Sequence, residues 1–335
     1  MRRATSKQEQ REDRTGDTIW RPPSDFVPAQ PWPKQPPGPP PIESPVKHSG
    51  ALRASRTSAS AGGTGGGTAG QLTNLGEEGA TRGMTPSLLL IKYAADKQQG
   101  ELSLLLKEGQ NPNVKIKVPW QDFETTPLFE GAVNGYKRIV RLLIEHGAKL
   151  DTVVGRNWTP LYNAALNGHD ECVRLLVDAG ADVTLCSEDG FSPLFVAAQG
   201  GFADSVTDIL ASPTMTPEAA NYAPAELNGA TALYVACQNG HVKCVLALLE
   251  AGVDVDPVMQ SCGSTPLHIS MFLSDRDNDA PHIKICEMLF AAGASLDKKN
   301  NAGQAVQDLA GRDYSLVEMC KNERERRVGG TQWWE

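Results

Sequence analysis

The sequence predicts an all-α repeat solenoid, built from paired antiparallel helices with finger turns between the pairs and preceded by a disordered tail. A fixed period is the first of three observations behind that prediction. Thr126-Pro127-Leu128, Thr159-Pro160-Leu161 and Ser192-Pro193-Leu194 stand 33 residues apart, Thr231-Ala232-Leu233 follows after 39, and Thr265-Pro266-Leu267 after 34. A constant internal order is the second, as in ALNGHDECVRLLVDAGADV over 165–183 and ACQNGHVKCVLALLEAGVDV over 236–255. The third is a break in composition. Residues up to about Thr81 are rich in Gly, Pro, Ser and Thr, whereas from about Met84 onward Leu, Ala and Val recur at helical spacing.

Each part of the repeat has a physical task. The hydroxyl residue of each anchor caps the free N–H groups of a helix start, and the proline after it has no N–H to leave unpaired. Ala164, Ala165, Ala197 and Ala198 are small enough for one helix to lie close to the next. Asn167-Gly168-His169 and Asn239-Gly240-His241 fall at the short turn between paired helices. Val173, Leu175 and Leu176 give a second helix its apolar face, and Gly180 and Gly252 end such helices in a positive-φ conformation. One hairpin cannot bury its face alone, so it stacks on its neighbours.

This pattern resembles the ankyrin-repeat family, with six to seven units over residues 84–320. The stretch 91–109 reads as a shortened first repeat with a longer link before Thr126. Residues 212–227 read as an extended loop, SDRDNDA (274–280) as an insertion between the helices of the fifth repeat, and 300–311 as the opening of a degraded sixth repeat.

The resemblance implies a partner bound through turn tips and the exposed side of the first helices. It selects Phe123, Thr125, Arg156, Trp158 and Phe191 near the turns, and Leu166, Asn167, Gln199, Gln238, Asn239 and Phe272 late in the first helices. Trp158 and Phe191 occupy equivalent places one repeat apart. They either anchor a partner, as large aromatics do at interface centres, or fold back over the finger turns and shield local backbone. The anchoring role, led by Trp158, is the expectation carried forward.

Charge and chemistry narrow the function. Residues 1–80 carry 10 Lys+Arg against 8 Asp+Glu, and the remainder 22 against 32. An acidic repeat region repels a phosphate backbone, so nucleic acid is not an expected partner, and the charge favours a basic protein surface. No stretch reaches the roughly 20 apolar residues of a membrane span, and the basic opening MRRATSKQEQREDR has no apolar run behind it. Seven cysteines, an odd number without a C-x-x-C pair, fit a reduced, cytoplasmic setting, with the nucleus left open.

An enzyme is not expected, nor a cofactor or metal. His169 and His241 repeat at one place in two units and read as structural, as do His146 and His268. Cys172 and Cys244 run along the stack, with Cys286 one step away in the fifth repeat, rather than converging on a metal, and Cys237 replaces an alanine. GGTGGG (62–67) lacks the lysine of a phosphate loop.

The two ends add further expectations. Residues 1–83 form the Pro-rich and Gly/Ser-rich tail, with 11 prolines between Arg21 and Pro45. Within it, Lys34 to Pro40 has the basic-x-x-Pro-x-x-Pro spacing that an SH3 groove reads, and 49–75 is a flexible tether. Residues 321–335 read as a charged C-terminal tail. Ser315, Leu316 and Cys320 resemble the opening of a SOCS box, the element by which one ankyrin family recruits elongin and a cullin ubiquitin ligase. Arg324 departs from that pattern, and the proline-containing half is missing. The same residues also fit a capping repeat packed on the last hairpin, and Trp333-Trp334-Glu335 either docks elsewhere or packs back on that cap. A non-catalytic interaction module, scaffold or adaptor is therefore the leading expectation. A ligase substrate receptor is the alternative, and a purely structural role is a third class.

Overall fold

The computed structural model describes residues 84–277, 280–310 and 314–329. The Lys34–Pro40 motif, the Gly/Ser tether and Trp333-Trp334-Glu335 lie outside them.

Helices alternate through the chain as inner and outer partners. The inner, first helices are α1 (Pro86–Ala95), α3 (Pro127–Val133), α5 (Pro160–Leu166), α7 (Pro193–Gly200), α10 (Ala232–Gln238), α12 (Pro266–Asp277) and α14 (Val306–Leu309). The outer, second helices are α2 (Gln99–Lys107), α4 (Lys137–Glu145), α6 (Asp170–Asp178), α8 (Ala203–Leu210), α11 (Val242–Glu250), α13 (Ala280–Ala291) and α15 (Tyr314–Gly329). A one-turn helix, α9 (Pro217–Ala220), lies in the loop before α10. Each first helix packs on the next first helix, and the second helices do the same from α2 to α13.

The anchors act as caps. Phe129 N donates to Thr126 Oγ1 at 3.2 Å, Tyr162 N to Thr159 Oγ1 at 3.0 Å, Phe195 N to Ser192 Oγ at 3.1 Å, and Tyr234 N to Thr231 Oγ1 at 3.2 Å. The outer helices bury one stripe each: Ile139, Val140 and Leu143 on α4, Cys172, Val173 and Leu176 on α6, and Cys244, Val245 and Leu248 on α11.

The seam between repeats depends on the turn glycines. Gly135, Gly168, Gly201 and Gly240 all have positive φ, and a ring from the following repeat lies over each one. A Cβ would fall 2.5 Å from the His169 ring at Gly135, 2.3 Å from Phe202 at Gly168, and 2.7 Å from His241 at Gly201. His169 Nε2 pairs with Val133 O at 2.9 Å, His241 Nε2 with Gln199 O at 3.0 Å, and His282 Nε2 with Gln238 O at 3.3 Å. These histidines therefore join one repeat to the one before it. Phe202 fills the same place with a ring that has no polar atom.

Three expectations are corrected. The 212–227 segment is not simply an extended loop, since it holds α9 and a 3₁₀ turn at Ala225–Leu227. It is pinned where Val183 N donates to Thr214 Oγ1 and Asp254 N to Asn221 Oδ1. The insertion at 274–280 is helical where it is described: α12 extends to Asp277 and α13 starts at Ala280. The boundary at residue 320 falls inside α15, which continues to Gly329 with Glu323 covered and neutralised by Arg326 and Arg327. In the link before Thr126, two-residue strands β1 (Ile116–Lys117) and β2 (Glu124–Thr125) pair antiparallel.

Candidate protein-binding surface

Consecutive finger turns are hydrogen-bonded to each other along the edge of the stack. Glu188 N donates to Arg156 O at 3.1 Å, Gln260 N to Asn228 O at 2.7 Å, and Asn301 N to Cys262 O at 2.9 Å. Side chains carry the same link. Arg156, exposed at its finger tip, reaches Asp189 Oδ1 at 2.5 Å and Glu188 Oε2 at 3.6 Å in the next finger.

The turns also decide where the aromatic rings go, and here the expectation of outward anchors is overturned. Trp158 is only 6% exposed and Phe191 5%. Val154 and Trp158 exchange two backbone hydrogen bonds, 2.9 and 2.8 Å, which close the finger into a tight bridge. That closure turns the indole downward onto Gly155, whose φ is +55° and where a Cβ would meet the ring at 2.9 Å. The half-buried Phe123 stands edge-on to Trp158 at 5.8 Å and to Phe129 at 6.3 Å. Phe191 is held against Phe195 at 5.5 Å, with its N–H donating to Ser187 Oγ at 3.2 Å.

Thr125, Leu166 and Gln199 are buried as well, so they too depart from the expected exposure. Thr125 has a specific reason. Its hydroxyl donates at 2.6 Å to Glu130 Oε1, which also accepts from Gln121 Nε2 at 3.0 Å. Glu130 is fully buried on α3, and Oε2 has no partner among the described residues. Burial raises its pKa, against the lowering effect of those two hydrogen bonds. Sequence reasoning missed this cluster. Its one signal was an acidic residue at the place filled by Val196, Val235 and Ile269 in other repeats.

The rest of the expected set stays at the surface. Asn167 and Asn239 are exposed, and Gln238 and Phe272 are half-buried. Asn239 stitches the stack by donating from Nδ2 to Gln199 O of the preceding repeat at 3.1 Å, whereas Asn167 Nδ2 donates to Asn163 O of its own helix at 3.0 Å and reaches Val133 O of the preceding repeat at 3.5 Å. Phe123, Arg156, Asn167, Gln238, Asn239 and Phe272 are thus the members of the set with surface to offer.

The buried thiols are poor nucleophiles. Burial pushes Cys172 and Cys244 up to about 11 and Cys286 to about 12, and it raises Cys237 as well. Burial lowers the pKa of His268, which accepts from Thr265 N at Nδ1 and donates from Nε2 to Gln304 O. Among the described residues no group of three or more His, Cys, Asp or Glu side chains is placed to hold a metal ion. No described helix is long and apolar enough to cross a membrane.

At the C-terminal end, Leu316 is fully buried and Cys320 is 6% exposed. Their faces are turned into the protein, which corrects the expectation that they are presented to ligase machinery. Arg327 fastens the same helix by donating to Phe290 O at 3.3 Å, and Arg324 by pairing with Asp297 at 2.7 Å.

Comparison with known proteins gives this geometry a family. A model described as ankyrin repeats in three copies matches residues 90–185, 151–220 and 194–300. The chain belongs to the ankyrin-repeat family. Ankyrin repeats generally mediate contacts between proteins. Among curated proteins, the BRCA1-associated RING domain protein 1 of Caenorhabditis elegans is 34% identical over 100 residues. That match takes in 29% of this chain and only 13% of the worm protein's length.

Among solved structures, the ankyrin repeat domain of human ASB11 is 28% identical with a TM-score of 0.54, covering 70% of this chain and 96% of that domain. The ankyrin repeat protein EF0377 is 26% identical with a TM-score of 0.52, covering 58% and 96%. The ankyrin repeat domain of Bcl-3, at 21% identity and a TM-score of 0.58 over 71% and 99%, shares the fold.

Proposed function

We propose that this ankyrin protein is a non-catalytic interaction module, a scaffold or adaptor that holds a protein partner along its finger tips and the exposed ends of its first helices. One observation carries the reading. After the stack's own demands on Trp158, Phe191, Thr125, Leu166 and Gln199 are met, Phe123, Arg156, Asn167, Gln238, Asn239 and Phe272 still face outward wholly or in part. Apolar rings among hydrogen-bonding groups suit recognition of a protein surface. The acidic balance of the repeats favours a partner with basic character, with charge acting chiefly on the rate of encounter.

The alternative is a substrate-recognition subunit of an elongin–cullin ligase. It draws on the likeness to the ASB11 repeats, but its two contact residues, Leu316 and Cys320, already pack the end of the stack. The interaction reading is tested by quantitative co-purification of tagged chains. Arg156→Glu combined with Asn239→Arg should reduce recovery of the specific partners at least tenfold. Arg138→Glu on the outer helix α4 should leave recovery unchanged. Equal recovery from both variants would overturn the assignment.

A further inference from the structure

The end of the stack carries a groove that the proposed binding side does not use. It has a volume of about 500 Å³ and lies between α13 and α15. Ala291 and Met319 supply apolar surface over the buried Phe290, Glu287 and Glu318 supply exposed carboxylates, and the paired Glu323 and Arg326 line it as well. The Arg326 guanidinium is held flat by Glu323, with Nε to Oε2 at 2.8 Å and Nη2 to Oε1 at 2.8 Å.

We propose that this groove is the intramolecular seat of the chain's own Trp333-Trp334 pair, which closes the last repeat as a cap. Three features of the chain support that occupant. Gly329 ends α15 and Gly330 follows it in sequence, a pair whose backbone freedom permits a reversal. Trp333 and Trp334 lie four and five residues beyond Gly329, an extended reach of roughly 13 to 17 Å. At 1.5 Å of rise per helical residue, Arg326, Asn322 and Met319 stand about 5, 10 and 15 Å back along α15. The segment is therefore long enough to bring the pair back along the groove.

The chemistry also matches. An indole combines a large apolar face with one N–H donor and no charge. Its face fits Ala291 and the Met319 thioether, its N–H fits a rim carboxylate, and the fixed guanidinium of Arg326 is placed to lie over a ring.

The test uses the full chain labelled with 5-fluorotryptophan, with ¹⁹F signals assigned by single Trp→Phe changes. A soluble paramagnetic agent reads solvent access. The expected result is that Trp333 or Trp334 is shielded more than Trp120, which is 37% exposed. Ala291→Arg, placed at an exposed position of the groove, should abolish that protection and leave the buried Trp158 signal in place as the check on folding. Three results would overturn the proposal. Both terminal indoles could be as accessible as free tryptophan. Protection could survive in a folded Ala291→Arg chain. Or it could vanish on dilution, which would show a second copy filling the groove.

Discussion

Replacing Trp158 by alanine separates a structural ring from a partner anchor. The indole is 6% exposed, edge-on to Phe123 at 5.8 Å and seated on Gly155. Truncating a buried tryptophan costs about 3–5 kcal/mol through lost transfer energy and the cavity left behind, and an aromatic pair contributes about 0.5–1.5 kcal/mol of such a loss. At about 2–4 °C per kcal/mol for a domain of this size, the melting temperature should fall by roughly 6–20 °C. Differential scanning calorimetry and urea titration measure this directly. Trp158→Phe, which keeps a ring and removes an Nε1 that has no partner among the described residues, should recover most of the loss. Arg156→Ala, two residues away and exposed, breaks surface ion pairs worth about 0–1 kcal/mol and should shift the midpoint by only a few degrees. A Trp158→Ala chain melting within about 2 °C of the parent would refute the packing argument and return this ring to the binding surface.

Three further outcomes are expected. Gly168→Ala meets the Phe202 ring at 2.3 Å in addition to a positive φ, whereas Gly147→Ala has a positive φ and open space, so only the latter should stay near the roughly 1–2 kcal/mol backbone cost; equal urea midpoints would count against the seam. The carboxyls at the two ends should titrate stability in opposite directions. Glu130, its pKa raised by burial, stabilises below the ordinary carboxylate range and loses that contribution as pH rises through its folded value. Glu323, lowered to about 2 by Arg326 and Arg327, stabilises above the ordinary range and loses its contribution as pH falls toward 2. Unfolding midpoints of Glu130→Gln and Glu323→Gln against pH should each remove one limb, and unchanged profiles would contradict both environments. Finally, a thiol reagent should modify Cys186 and Cys262, both half-buried, well before the five buried cysteines, as read by mass spectrometry of peptides. Uniform labelling would mean that the repeats open easily.

What the sequence revealed depended on how local the signal was. Capping by Thr126, Thr159 and Ser192 involves atoms three residues apart, so spacing alone placed the helix starts. The direction of Trp158 is not local in that sense. It follows from the Val154–Trp158 bridge and from Phe123, which no periodicity encodes. Glu130 was hidden for a similar reason, because Gln121 and Thr125 reach it from the link rather than from its own helix. The charged run 321–327 resembled a solvated tail, yet Glu323 is buried by virtue of two arginines on its own helix. Conversely, the seam histidines were legible as structural from their repetition, although their acceptors lie in the preceding repeat.

Photo-crosslinking tests most directly which side of the stack meets a partner. With p-benzoylphenylalanine at position 156 or 239, the full-length chain should give discrete adducts to a partner protein. The same group at Leu246, 47% exposed on the outer helix α11, should give none. Adducts from position 246 alone would place the contact on the opposite side and contradict the proposed binding edge.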